Sequence, residues 1–236
     1  MSAKAARKTV TIVAIDGPAG SGKSTVARRV ARRMRLPYLD TGAMYRALTV
    51  AALQKSVSLQ DPKALGRLAK RVRIELECAP GRRDRVRLDG EDVTRMIRTP
   101  ELTQQVHWVA RAPEVRSEMV RLQRRAAAAR GGVLEGRDIG TVVFPKAPFK
   151  FYLDADLRER TARRLKELKA KGVRVSFKKL YEDQKARDLT DTTRKVGPLK
   201  PAEDAIRIDT TELTITGVVG RILKLVSAKR AGRGKM

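Results

Sequence analysis

A chain of 236 residues, 42% of them hydrophobic, is long enough for one α/β domain with insertions to bury a real core. Its single cysteine, Cys78, excludes an intrachain disulfide and points to a reducing compartment; no apolar run approaches the ~18 residues of a membrane span or follows Met1–Lys8 as a signal peptide would, so a cytoplasmic location is expected. The net charge of +27 (isoelectric point near 11.1) invites a nucleic-acid reading, but the cations are spread along the chain without aromatic interleaving, so small anionic substrates are expected and a dedicated nucleic-acid partner is not.

Residues 1–9 suggest a disordered basic tail. Val10–Ile15 is a continuous apolar run, the pattern of a strand buried on both faces. It feeds directly into Gly17-Pro18-Ala19-Gly20-Ser21-Gly22-Lys23-Ser24-Thr25, which fits G-x-x-x-x-G-K-[ST] between a strand and a helix. The glycines let successive N–H groups turn inward around an anion. Lys23 supplies a charge for β- and γ-phosphates, and the Ser24 hydroxyl is the candidate Mg²⁺ ligand. A helix over Lys23–Met34 aims its positive end at the same place. This stretch specifies a nucleoside triphosphate without saying what becomes of it.

Leu36–Leu39 is a second short strand, ending at Asp40-Thr41-Gly42. The helix after it carries Met44, Leu48, Ala51 and Ala52 on one face, with Thr41 expected at its N-cap and Arg46 in its first turns. Asp61-Pro62 starts a short helix. Strict alternation over Val72–Cys78 and Val86–Asp89, separated by loop residues Ala79–Asp84, then predicts a half-exposed antiparallel hairpin. Residues 100–130 are helical in pattern with a break at Ala112-Pro113. Gly132–Glu135 and Phe149–Asp154 are the third and fourth core strands. An arginine-rich helix over Asp156–Lys171 stops at Gly172, a second runs from Ser176 to Arg187, and Ala205–Asp209 and Thr214–Val226 give a fifth strand and closing helix. Residues 228–236 read as a basic tail. Strands alternating with helices give an α/β fold, a five-stranded parallel sheet flanked by helices, interrupted by an antiparallel insert and a helical, lid-like pair.

Three motifs stand in order around the phosphate loop: Asp40-Thr41-Gly42-Ala43-Met44-Tyr45-Arg46, Glu135-Gly136-Arg137-Asp138-Ile139-Gly140-Thr141-Val142-Val143-Phe144-Pro145 and Arg187-Asp188-Leu189-Thr190-Asp191-Thr192-Thr193-Arg194. Together they resemble the bacterial cytidylate kinase family, P-loop nucleoside-monophosphate kinases that phosphorylate CMP and dCMP with ATP. The resemblance runs from about Thr9 to Val226. It implies a core at 10–58, 101–157 and 197–227, a nucleotide-binding insert at 59–100 and a lid at 158–196. It also implies Mg²⁺ with ATP, and a chain working as a monomer.

Holding two polyanions in line requires arginines from separate elements, since guanidinium grips phosphate in a bidentate fork. On the matched motifs, Arg46, Arg137 and Arg194 fall to the CMP phosphate, and Arg160, Arg163 and Arg164 to the ATP phosphates. The plain alternative for any one of them is a surface salt bridge. A carboxylate and a guanidinium complement cytosine: Asp138 would accept from N4 and Arg116 donate to N3 and O2, whereas uracil opposes both. Asp191, with Arg187 beside it, suits the ribose hydroxyls, and Thr41 suits the nucleotide. Lys23, Arg137, Asp138 and Arg194 are the expected catalytic set. His107, followed by Trp108, stands where the family commonly has a small hydroxyl residue, nine positions before Arg116; contact with the base edge and simple packing both stay open. So do two other functions: a kinase of the same fold acting on UMP or dTMP, and a basic nucleic-acid-dependent ATPase.

Overall fold

The computed structural model describes residues 10–77, 84–170 and 172–233. The expected tail at 1–9, Cys78 and most of the loop after it, and the last three residues lie outside them. The framework is a parallel sheet of β1 (Ile12–Asp16), β2 (Tyr38–Asp40), β6 (Gly132–Gly136), β7 (Phe149–Asp154) and β8 (Ile206–Asp209), in the order β2-β6-β1-β7-β8. β1 is central and buried at every position, as its unbroken apolar run requires. On one face, Val13 and Ile15 pack with Val26, Ala27 and Val30 of α1 (Lys23–Met34) and with Val218, Val219 and Ile222 of α8 (Ile215–Arg233). On the other, Ile12, Ala14 and Leu134 meet Ala127 of α5 (Pro113–Ala128) and Ile139 and Val143 of a wide turn after β6. The chain reverses direction across the sheet at β1, so the crevice for a ligand opens at the carboxyl ends of β1, β6 and β7.

A third core joins α2 (Thr41–Gln54), α3 (Pro62–Arg71) and α4 (Pro100–Arg111) to a small antiparallel sheet of β3 (Ile74–Glu77), β4 (Arg85–Leu88) and β5 (Glu91–Asp92). Ile74 pairs with Leu88 and Glu77 with Arg85, the register the alternation predicts. The third strand was not visible in the pattern: Asp89 and Gly90 both take positive φ (51° and 93°) and fold two further residues back onto β4.

Three boundaries differ from the sequence reading. Thr41 does not cap α2; Asp40 does, accepting from Ala43 N (2.9 Å), while the Thr41 hydroxyl donates to Glu135 O (2.6 Å). The second lid helix, α7 (Phe177–Thr193), continues past Arg187, where Asp188 and Asp191 are held by Arg160 and Arg137 and the hydroxyls of Thr190, Thr192 and Thr193 bond back to carbonyls one turn earlier. α8 runs through most of the expected basic tail, and Arg230 there donates to Thr11 Oγ1 (3.2 Å) and lies over the Phe149 ring. No helix among the described residues is long and apolar enough to cross a membrane.

Candidate active site

The loop leaving β1 turns where only glycine fits. A Cβ on Gly17 would stand 2.1 Å from Leu153 O on β7, and Gly20 and Gly22 hold φ near +80°. Gly22 also occupies the N-cap of α1, so no side chain covers the first-turn N–H groups, and they face the loop. Lys23 is buried and donates to Pro18 O across the loop (2.8 Å). The Ser24 hydroxyl donates to Glu135 Oε2 (2.7 Å), and Tyr38 OH donates to the other oxygen of the same carboxylate (2.5 Å). Ser24 therefore spends its proton inward and turns its lone pairs toward the cleft.

From the neighbouring strand ends and helices comes a second set of arginines. Arg137, just past β6, donates from Nε to Asp191 Oδ2 (2.8 Å) on α7, and Arg194 lies 3.6 Å from the other Asp191 oxygen while donating to Gly197 O (2.6 Å). Arg46 pairs with Asp40 (2.8 Å). Arg116 on α5 forms a direct, buried ion pair with Asp138 and also reaches Ala110 O (3.3 Å). The Nε groups of both Arg46 and Arg116 are buried without a protein partner.

The electrostatics of this cleft are lopsided. Burial and then Arg137 and Arg187 push the Lys23 ammonium well below the usual lysine range, against the opposing pull of Glu135. Burial, Arg137, Arg46 and Arg164 push Arg187 down to about 10. Burial would lift Asp191, but Arg137 and Arg187 hold it below the ordinary carboxylate range. Glu135 and Asp138 are both raised by burial, Glu135 further by Asp40 and Asp138 in spite of Arg116. Several cations are thus held together in low dielectric with too few anions to balance them.

The lid arginines divide into three roles. Arg160 of α6 (Leu157–Ala170) is buried and bridges Ala155 O (2.9 Å), Ala19 O of the phosphate loop (3.1 Å) and Asp188 of α7 (2.6 Å). Arg164 pairs with Glu167 of its own helix (3.0 Å) and lies near enough to Arg187 to lower its pKa. Arg163, expected at the donor phosphates, is turned to other work: its three nitrogens are occupied by Glu159, Thr210 and Thr211, which tie α6 to the loop after β8. His107 packs against Trp108 (ring centroids 4.9 Å apart) and donates from Nδ1 to Gln104 O within its own helix (2.7 Å).

Two site residues escaped the sequence reading, Glu135 and Asp16. Each is a carboxylate at the end of a buried apolar strand, a signal available in Val133-Leu134-Glu135 and Val13-Ala14-Ile15-Asp16 because an unpaired buried carboxylate is expensive. Among the described residues no cluster of three or more His, Cys, Asp or Glu side chains is set to cage a metal. The outward lone pairs of Ser24, backed by Glu135, do fit a hard cation that brings its other oxygen ligands with it, as Mg²⁺ bound to phosphates does.

A phosphate loop on the central strand, with a second set of arginines converging from β6, α2 and α7, defines a P-loop phosphoryl-transfer enzyme. The family model described as cytidylate kinase matches residues 13–228. The cytidylate kinase of Caldanaerobacter subterraneus is 46% identical over 220 residues (93% of this chain, 96% of the relative), and that of Desulforamulus reducens 50% identical over 214 residues (91% and 96%). The crystal structure of TT1252 from Thermus thermophilus is similar in fold, with a TM-score of 0.50 at 20% identity over 94% of this chain and 98% of that one. This chain belongs to the cytidylate kinase family, and it is a nucleoside-monophosphate kinase.

Proposed function

We propose that the protein transfers the γ-phosphoryl group of ATP to CMP or dCMP, giving ADP and CDP or dCDP. The observation that carries this reading is the under-neutralised cluster of Lys23, Arg137, Arg187 and Arg46, whose mutual repulsion a triphosphate donor and a monophosphate acceptor would relieve. Gly17 to Thr25 hold the donor, with the loop N–H groups on its phosphates and Lys23 shifting from Pro18 O to the β/γ-oxygens. Ser24 would hold the Mg²⁺ that comes with ATP, and the ion would supply charge neutralisation at the donor phosphates. Arg46, Arg137 and Arg194 fix the acceptor phosphate, Arg187 lies between the two phosphate sites, and Arg160 and Arg164 close the lid side. The acceptor oxygen is already anionic, so positioning and charge neutralisation supply the catalysis without a dedicated base.

Asp138 and Arg116 select the base. Cytosine gives Asp138 an N4–H donor and Arg116 two acceptors, while uracil leaves both charged groups facing the wrong partner, at about 1–3 kcal/mol for each. Asp191 and Thr41 are assigned to the nucleotide's sugar side, Asp191 also holding Arg137 in place. The working unit is assigned as a cytoplasmic monomer acting on nucleotides. A coupled assay of ADP release across CMP, dCMP, UMP and AMP is the test. CMP or dCMP should exceed UMP by at least about thirtyfold in kcat/KM, two mismatched contacts of about 1 kcal/mol or more each at ~1.4 kcal/mol per decade. AMP turnover equal to that of CMP would refute the base assignment. Asp138→Ala should erase most of the CMP preference, and Lys23→Ala should abolish transfer to every acceptor.

A further inference from the structure

The wide turn Ile139–Val143, directly after Asp138, has no cap of its own. Val142 and Val143 donate to Asp138 O (2.9 and 3.2 Å) and Phe144 donates to Ile139 O (2.7 Å), which leaves the leading N–H groups of Ile139 and Gly140 without an acceptor inside the turn. The residue at the capping position is Asp138, a side-chain type well suited to accept them. Its carboxylate makes no such bond and pairs with Arg116 instead. The two N–H groups donate to Asp16, one to each oxygen, at 2.8 and 2.7 Å. Asp16 is the last residue of β1, buried, opposite Gly136 on β6 and Tyr152 on β7, and the next residue begins the phosphate loop.

The geometry points to Asp16 as a positioning residue: its carboxylate caps the Ile139–Val143 turn from the neighbouring strand and so frees Asp138 to face the acceptor's base. This inference rests on the cytosine reading and extends it to a residue that does not touch the substrate. Only a carboxylate serves both donors, since an amide in its place turns an NH₂ toward one of them. The same residue directly precedes the donor loop, so one side chain ties the turn after Asp138 to the strand end from which that loop departs. Arg137 and Asp138 from the turn and Tyr152 from β7 are the charged or titratable groups acting on it or feeling it, and burial pushes its carboxyl up to about 7, so acidification removes one of its two acceptor sites.

The test compares Asp16→Asn with the unsubstituted enzyme in steady-state ADP release on CMP and on UMP, with the KM for ATP measured alongside. The expected outcome is a CMP-over-UMP ratio reduced about tenfold, the loss of one charge-assisted hydrogen bond, with the KM for ATP changed less than about twofold. In a cycle with Asp138→Asn the two selectivity losses should not add, because both act on one carboxylate. An unchanged CMP-over-UMP ratio, additive losses, or an equal loss for donor and both acceptors would overturn the inference. Asp16→Ala, which removes the acceptor without presenting a donor, is read the same way if the Asn variant does not fold. Failure of both to fold also overturns it, since a residue that only positions one turn is not one on which the whole fold depends. Collapse of the cytosine reading is separately visible: the unsubstituted enzyme then shows no preference for CMP over UMP, and the inference falls with it.

Discussion

Asp16 and Glu135 show how a kinase site strains the core that carries it. Each sits at the end of a strand whose other side chains are apolar, and in each case burial lifts the carboxyl above its ordinary pKa. For Asp16, raised from 3.8 to about 7, the sign of the stability effect follows directly. Between about pH 4 and 7 the native chain holds a proton that the unfolded chain has lost, so this group adds stability as pH falls through 7 and withdraws it as pH rises. A shift of about 3 units corresponds to a contribution on the order of 4 kcal/mol. Urea denaturation of the ligand-free protein at pH 5, 6 and 7 should therefore show Asp16→Asn with a flatter or reversed trend relative to the unsubstituted chain. An identical pH dependence in the two proteins would refute the assignment of that proton to Asp16. The phosphate loop and the arginines of the three motifs were legible in the sequence because residue type and spacing state their chemistry. Asp16 and Glu135 were not, because their roles depend on which strand lies beside which, and β6 joins β1 from more than a hundred residues away.

Among elements, the apolar runs announced all five parallel strands, and the alternation announced the hairpin of the insert. What failed was the end of α7. The run Asp188-Leu189-Thr190-Asp191-Thr192-Thr193 is poor in helix formers, so propensity alone stops the helix at Arg187. Tertiary bonds override it: Asp191 is held by Arg137, and Asp188 by Arg160. The gain is geometric. Arg187, Asp191 and Arg194 stand at i, i+4 and i+7, so one side of α7 and its C-cap carries all three toward the cleft. Arg160 and Asp188 also join the two lid helices to the phosphate loop, with side chains only 7% and 19% exposed. Removing one partner of such a pair strands the other in low dielectric, at about 3–5 kcal/mol for a fully buried pair. Arg160→Ala should lower the unfolding free energy by about 3 kcal/mol, near the bottom of that range because Asp188 keeps some solvent. It should also raise the KM for ATP more than the KM for CMP, since Ala19 belongs to the donor loop. A stability loss below about 1 kcal/mol, the level of an exposed pair, would show that the clamp is not held in solution.

At the scale of the whole molecule, the net charge of +27 needs an account that the site does not supply. The site uses a minority of these cations, and others, such as Arg29, Arg32 and Arg33 of α1, lie exposed on helix surfaces. A protein of such net positive charge attracts every polyanion, substrates and nucleic acid alike, and the range of that attraction is set by salt, with a screening length of about 10 Å at 0.1 M. The two consequences separate cleanly. Attraction of CMP and MgATP should raise kcat/KM at low ionic strength and let it fall as salt is added, with kcat little changed, because the field acts on encounter rather than on transfer. RNA or DNA should bind the same surface without sequence preference, inhibit by competing with the nucleotides at low salt, and be released as salt rises from about 50 to 200 mM. It should not stimulate ATP turnover, because the γ-phosphoryl passes to a nucleotide's phosphate oxygen held by the arginines of the cleft, and polyanions on the exposed helix faces lie away from that position. Steady-state assays with and without RNA across that salt range decide the matter. Stimulation of ATP hydrolysis by RNA in the absence of CMP would place the charge in the mechanism; inhibition that vanishes with salt leaves it as a property of the surface.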